Sequence, residues 1–237
     1  MKPYRHVLLP ASAVATFLLV FSGATYAGIA STKHNLSTSG TGDIKSTDQQ
    51  EICVFCHTPH QAIKNDSIPL WNHTLSSTAS YGTYTSPTFM FNTTTNLSES
   101  DIADVGGTDE TNAVVTNLCL SCHDGTIAIN SFNNTSNFFP VTTMTDSGTG
   151  RLTVDGKLAP TAVTNLGTDL SDDHPVNFTY REDIDPSLKA KTALVNARLY
   201  DNKVQCASCH DPHISDQPAF LRTTMVGSAL CLECHDK

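Results

Sequence analysis

The sequence predicts a mostly irregular chain with short α-helices at four repeated cysteine motifs and a few β-hairpins. Three observations predict it. Hydrophobic residues make up 39% of the 237 residues and aromatic ones only 7%, a thin supply for a chain of this length to close a core of its own. Thr, Ser, Asn and Gly crowd the middle of the sequence, where helical or strand periodicity is scarce. All eight cysteines fall into four identical frames between positions 53 and 235. Something other than side chains must supply buried apolar mass.

Residues 1–27 read as a secretory signal that is cleaved. Lys2, Arg5 and His6 form a short basic start, and residues 11–21 are an apolar run too short to span a bilayer. Thr25-Tyr26-Ala27 places small residues at the −3 and −1 positions of a cleavage site. No later stretch is apolar enough for a membrane helix, and Cys53 lies too far on to carry a lipid anchor. Residues 28–237 are expected to form a single secreted domain. Cleavage removes Lys2 and Arg5, so 14 basic against 23 acidic residues becomes 12 against 23, a net −11. That acidity excludes a nucleic-acid partner, which requires a basic face, and it also serves solubility.

The four frames are Cys53-Val-Phe-Cys56-His57, Cys119-Leu-Ser-Cys122-His123, Cys206-Ala-Ser-Cys209-His210 and Cys231-Leu-Glu-Cys234-His235. This is the attachment pattern of c-type haem. Two thiols three positions apart on one helical turn match the two vinyl groups of a porphyrin, and the next histidine is placed to meet the iron. Secreted disulfides, structural zinc and redox dithiols also use paired cysteines. None of them requires a histidine after every second cysteine. With 10 His in 237 residues, four chance matches of four to the pattern have odds on the order of one in a few hundred thousand. Four covalent haems c are therefore expected, with the chain packed around them and His57, His123, His210 and His235 as proximal ligands.

The secondary-structure elements follow the same pattern. Residues 112–123 place Val114, Val115, Leu118 and Cys122 at helical spacing, with Asp124-Gly125 as a stop. A shorter helical turn is expected from Ser228 through the last motif. Asp155-Gly156 and Asp201-Asn202, each between apolar residues, predict hairpin turns. Segments 74–100 and 126–170 are Thr/Asn/Ser-rich and predict loops. Their Asn-x-Ser/Thr triplets follow from composition and carry little weight as glycosylation sites. No internal period longer than the motif itself is visible.

The far side of each iron decides between relay and catalyst. Beyond the signal, five further histidines are available (His34, His60, His73, His174 and His213) against three methionines, Met90, Met144 and Met225. Bis-histidine ligation at every iron follows, with potentials below those of methionine-ligated haem. His60 and His213 each stand three residues past a proximal histidine, in His57-Thr-Pro-His60 and His210-Asp-Pro-His213. Neither can share the iron of its own motif, but each can reach a neighbouring one. His174 follows Asp172 and Asp173, which could orient its other ring nitrogen. His34 completes the expected distal set, and His73, beside Trp71, is the one left over.

ICVFCHTPH (52–60), PLWNH (69–73), LCLSCHDG (118–125), SDDHPVNF (171–178), CASCHDPH (206–213) and LCLECH (230–235) together resemble the multihaem c-type cytochromes of metal-reducing bacteria. Among those, the closest resemblance is to the tetrahaem cytochromes that polymerise into extracellular electron-conducting filaments. The resemblance implies stacked bis-histidine haems and a homo-polymer in which one distal ligand comes from the adjacent subunit, with His60 or His34 as that donor. The fourth motif is followed by only Asp236 and Lys237, so its far face is expected to be open. An open apolar face that meets a different surface of the next copy can propagate head to tail. The competing readings are a soluble periplasmic tetrahaem carrier that docks transiently on redox partner proteins and, less favoured, a multihaem reductase. A reductase requires an open iron, which five spare histidines leave unneeded.

Overall fold

The computed structural model describes residues 28–63, 70–84, 114–134 and 142–236. The signal at 1–27 and positions 85–100 of the first Thr-rich loop lie outside them. Within the described residues the chain is mostly coil, as its composition predicts.

The longest helix, α1, is Val115–His123, and α2, Cys206–Cys209, and α3, Cys231–Cys234, are single turns on attachment motifs. Val114, extended at φ −110° and ψ 166°, caps helix α1, and the expected start at 112 lies outside the described residues. Asn117 Oδ1 accepts the Val114 N–H (2.8 Å) and ties off the first turn. It stops where predicted, with Gly125 in the left-handed region at φ +70°. Asp124 then anchors the helix end, accepting the Tyr81 hydroxyl at 2.6 Å and both the N–H and the hydroxyl of Thr126 at 2.8 Å.

Strands are two residues long and pair in twos. Lys45–Ser46 (β1) runs antiparallel to Met144–Thr145 (β3), with Lys45 opposite Thr145. Gly82–Thr83 (β2) is parallel to Asp169–Leu170 (β4), and Phe178–Thr179 (β5) is antiparallel to Lys203–Val204 (β6). Such pairings between distant segments leave no sequence signature. Both predicted hairpin turns form. Asp201 and Asn202 have φ +52° and +61°, and Tyr200 and Lys203 exchange backbone hydrogen bonds of 3.0 and 2.9 Å, the two-residue turn that matches strand twist. At the other turn Gly156 has φ +76° and Leu152 bridges Leu158.

Apolar burial is divided rather than pooled. Ile63, Trp71, Leu75 and Leu118 form one cluster, Tyr81, Leu120 and Leu170 a second, and Val54, Phe55 and Phe132 a third. Buried polar residues join them. Asn72 donates to Val54 O (2.6 Å) and accepts the Asn134 N–H (2.9 Å). Gln205 accepts from Thr116 and donates to Asn177 Oδ1 (2.8 Å), linking α1 to α2. Each cluster lies beside an attachment motif, so packing serves to place the cysteines.

Candidate metal centres

In three motifs one turn is closed by the histidine N–H donating to the carbonyl of the first cysteine: His57 to Cys53 at 2.8 Å, His210 to Cys206 at 3.1 Å and His235 to Cys231 at 2.9 Å. The second motif is the last turn of α1. A turn so closed brings residues three apart onto one face, which is what two thioether bonds to one ring require. His57, His210 and His235 are then held by antiparallel bridges to Trp71, Leu221 and Leu188.

Burial pushes the thiols of Cys56 and Cys122 up to about 12 and that of Cys209 up to about 11. Redox dithiols depart in the other direction, and a buried sulfur is at ease as a neutral thioether. The Cys119 thiol donates to Val115 O at 3.7 Å, and the Cys206 thiol beside it, with burial, raises the Cys119 pKa while that of Cys206 is lowered. Neighbouring motifs are within electrostatic reach, Cys56 of Cys122 and Cys209 of Cys234. Motifs one to four thus follow one another in sequence order within electrostatic reach.

The histidines divide into groups. His34 and His123 face each other with ring centres 6.0 Å apart and planes at 71°, and His57 faces His213 at 6.2 Å and 16°. An imidazole–metal–imidazole sandwich has two bonds of about 2.0 Å and, from each nitrogen to its ring centre, roughly 1.1 Å more, giving a spacing of about 6.2 Å. Both ring spacings are close to that length. His123 and His210 donate Nδ1–H to the carbonyls of Thr164 and Ala219, both at 2.7 Å, the support that aims the opposite nitrogen at a metal. His34 Nδ1 is buried without a hydrogen-bond partner. Burial, then the charge of His123, lowers the His34 pKa to about 4, so the ring is neutral and its lone pair is available at pH 7.

The other three do not meet a proximal ring in this way. His174 is exposed, and the carbonyl of Pro175 (2.9 Å), not Asp172 or Asp173, receives its Nδ1–H. His60 is exposed, its carbonyl held by the amide of Asn134 at 2.9 Å. His73 is fully buried with a lowered pKa caused by burial, and both ring nitrogens face carbonyls, Thr74 O at 2.9 Å and Ala128 O at 3.0 Å. Backbone oxygens thus cover both nitrogens. Among the described residues no three His, Cys, Asp or Glu side chains converge on one point, as the ligands of a structural zinc site do.

Residues 201–237 match the family of the doubled CXXCH motif. The match takes in the third and fourth motifs and supports a multihaem c-type cytochrome. Such motifs indicate covalently bound haem c, and with it electron transfer. No curated protein matches the chain in sequence. Among the described residues no helix is long and apolar enough to cross a membrane.

Two aromatic contacts have no signal in the motifs. Phe220 stacks on His34 with ring centres 4.3 Å apart, and Trp71 sets its ring at 90° to His57. Trp71 therefore packs on a proximal histidine. Each aromatic lies on the segment that returns to bridge a motif, and those segments share no sequence pattern.

Proposed function

We propose that residues 28–237 form one tetrahaem domain with a haem c on each motif, and that this domain relays electrons as the subunit of an extracellular filament. Spacings of 6.0 and 6.2 Å in the two histidine pairs carry the reading. They support His34 as distal ligand opposite His123 and His213 as distal ligand opposite His57, both within the chain. Bound haem supplies reversible one-electron chemistry at iron; the polypeptide saturates that iron and keeps substrates from it. His60 and His174 remain to serve the irons of His210 and His235, and His73, held between two carbonyls, stands apart. With every position filled the protein has no catalytic site. Haem attachment of this kind implies export.

The surface at the fourth motif supports a homo-polymer. Helix α3 buries no residue, and Met225, Val226 and Val195 are 54%, 81% and 83% exposed. Glu233, inside that motif, accepts the N–H groups of Val195 and Asn196 at 3.0 and 2.9 Å, so Val195 is fixed next to the motif. Apolar residues gathered at a haem edge are what a neighbouring subunit would cover. A pyridine haemochrome assay on the secreted protein is expected to give four haems per chain, and negative-stain images should contain filaments of even width. A sharp monomer peak in gel filtration at every concentration would overturn the polymer and leave the soluble periplasmic carrier. A ferric high-spin fraction in the native protein would favour a reductase.

A further inference from the structure

The arm that follows the third motif carries a charge that the arm after the first does not. Each brings a second histidine three residues past the proximal one, and the residue in between that precedes proline is Thr58 in the first arm and Asp211 in the third. Thr58 donates its hydroxyl to His60 O at 2.8 Å, so a neutral group engaged with backbone stands beside His60. Asp211 instead turns its carboxylate on its histidine. Oδ1 accepts the His213 N–H at 3.1 Å, the turn an aspartate makes with the residue two positions on, and it lies 3.2 Å from Nδ1 of the same residue. A carboxylate only accepts, so the neutral ring holds its proton at Nδ1 and its lone pair at Nε2.

That carboxylate is itself held in place. Arg222 lies on the segment that returns along the third motif, its N–H on Cys209 O at 2.8 Å. Its guanidinium donates to Asp211 Oδ2 at 3.0 Å, to Ala207 O at 2.8 Å and to the Tyr200 hydroxyl at 3.2 Å. The side chains of Arg222 and Asp211 are only 8% and 18% exposed, so solvent screens the pair little. Burial works against the charge of Asp211, but the His213 N–H and the Arg222 cation outweigh it and hold its pKa below the usual carboxylate value. By contrast, His123, His210 and His174 give Nδ1–H to neutral carbonyls, those of Thr164, Ala219 and Pro175.

An anion that accepts Nδ1–H draws the proton away from the ring and makes the opposite nitrogen a stronger donor. Stronger donation favours ferric over ferrous iron, and hydrogen bonding behind a ligand is one of the levers a protein has on haem potential. We propose that Asp211 is a positioning residue for His213 that lowers the potential of the first haem, with Arg222 fixing it in that part. Asp211 directly follows the proximal histidine of the third motif, yet it acts on the iron of the first, whose His57 ring faces His213 at 6.2 Å and 16°.

This inference rests on the reading of His213 as the ligand opposite His57, and the two fail separately. The test is an optical redox titration of the full secreted holoprotein, with haem per chain counted and carbon monoxide binding measured after reduction. Asp211→Asn keeps the shape and an acceptor oxygen and removes the charge. It is expected to leave every haem attached and every iron closed, and to move one one-electron step to higher potential. Asp211→Thr, which copies the first arm, should do the same and serves where the amide variant does not mature. His213→Ala is expected to open one iron, and adding Asp211→Asn to it should move no step further, because the carboxylate has lost the ring through which it acts. Steps that all stay in place in Asp211→Asn and Asp211→Thr would overturn the inference. So would a shift that survives undiminished in the His213→Ala background, the behaviour of a plain charge beside the third haem. In either case an iron opened by His213→Ala leaves the ligand reading standing. If His213→Ala opens no iron, that reading falls and the inference with it.

Discussion

Produced without haem attachment, with all eight cysteines replaced by alanine, the chain is expected to show no cooperative unfolding transition. The reason lies in how little apolar surface it closes on its own. Among the described residues the buried clusters hold four, three and three residues. Strands of two residues contribute few ladder bonds each, well short of what an independent sheet needs. The ordering entropy of the coil has to be offset by something, and a porphyrin fixed by two covalent bonds and an iron ligand is the group that the motifs provide for. The loss should amount to the whole stability of a typical domain, about 5–15 kcal/mol. Circular dichroism and thermal melts check it. A sigmoidal melt of the cysteine-free chain, with the far-ultraviolet spectrum of the holoprotein, would mean that the polypeptide folds unaided.

The second large effect is expected from His34→Ala. Its ring sits 6.0 Å from that of His123 and stacks at 4.3 Å on Phe220, so under the proposed ligation truncation removes a distal ligand and leaves a hole the size of an imidazole. One iron per chain should become five-coordinate, with a high-spin ferric band and carbon monoxide binding that the wild type lacks at this position. Added imidazole should restore the low-spin spectrum by filling the hole. Phe220→Leu serves as the comparison: it removes the stacking partner and leaves the ligand, so the low-spin spectrum should persist. An unchanged spectrum in His34→Ala would remove His34 from the ligand set and with it the pairing with His123.

Much of this was legible in the sequence where chemistry is local. The four motifs, the stop at Asp124-Gly125 and the turn at Asp201-Asn202 each depend on residues within a few positions of one another. The pairing of histidines did not follow from such rules. His34 and His123 are distant in sequence, and their meeting is framed by Phe220 and the 210–213 loop, which lie against His34. The support for His174 also differed, because a carbonyl next in the chain was nearer than the acidic side chains before it. The return segments at 70–72 and 220–222 have no sequence signature, because they repeat a backbone conformation while sharing no residue identity. A period of that kind exists in φ angles and hydrogen bonds, where composition leaves no trace.

The two facing pairs use the same pair of residue types but not the same twist, 16° between His57 and His213 and 71° between His34 and His123. Imidazoles lying nearly parallel push electron density into one iron d orbital and separate it from its partner. Crossed imidazoles act on both orbitals alike and leave them close in energy. With iron held by both pairs as proposed, parallel rings would favour the oxidised ion, and an added electron would rest preferentially at the crossed pair. Ferric paramagnetic resonance reads the difference directly, as a rhombic spectrum for the first pair and a single feature at high g for the second; two identical spectra would refute it. Under the proposed ligation the slope of the path for charge would be set by the dihedral angle between side chains, and a mutation that merely turns a ring would tilt it.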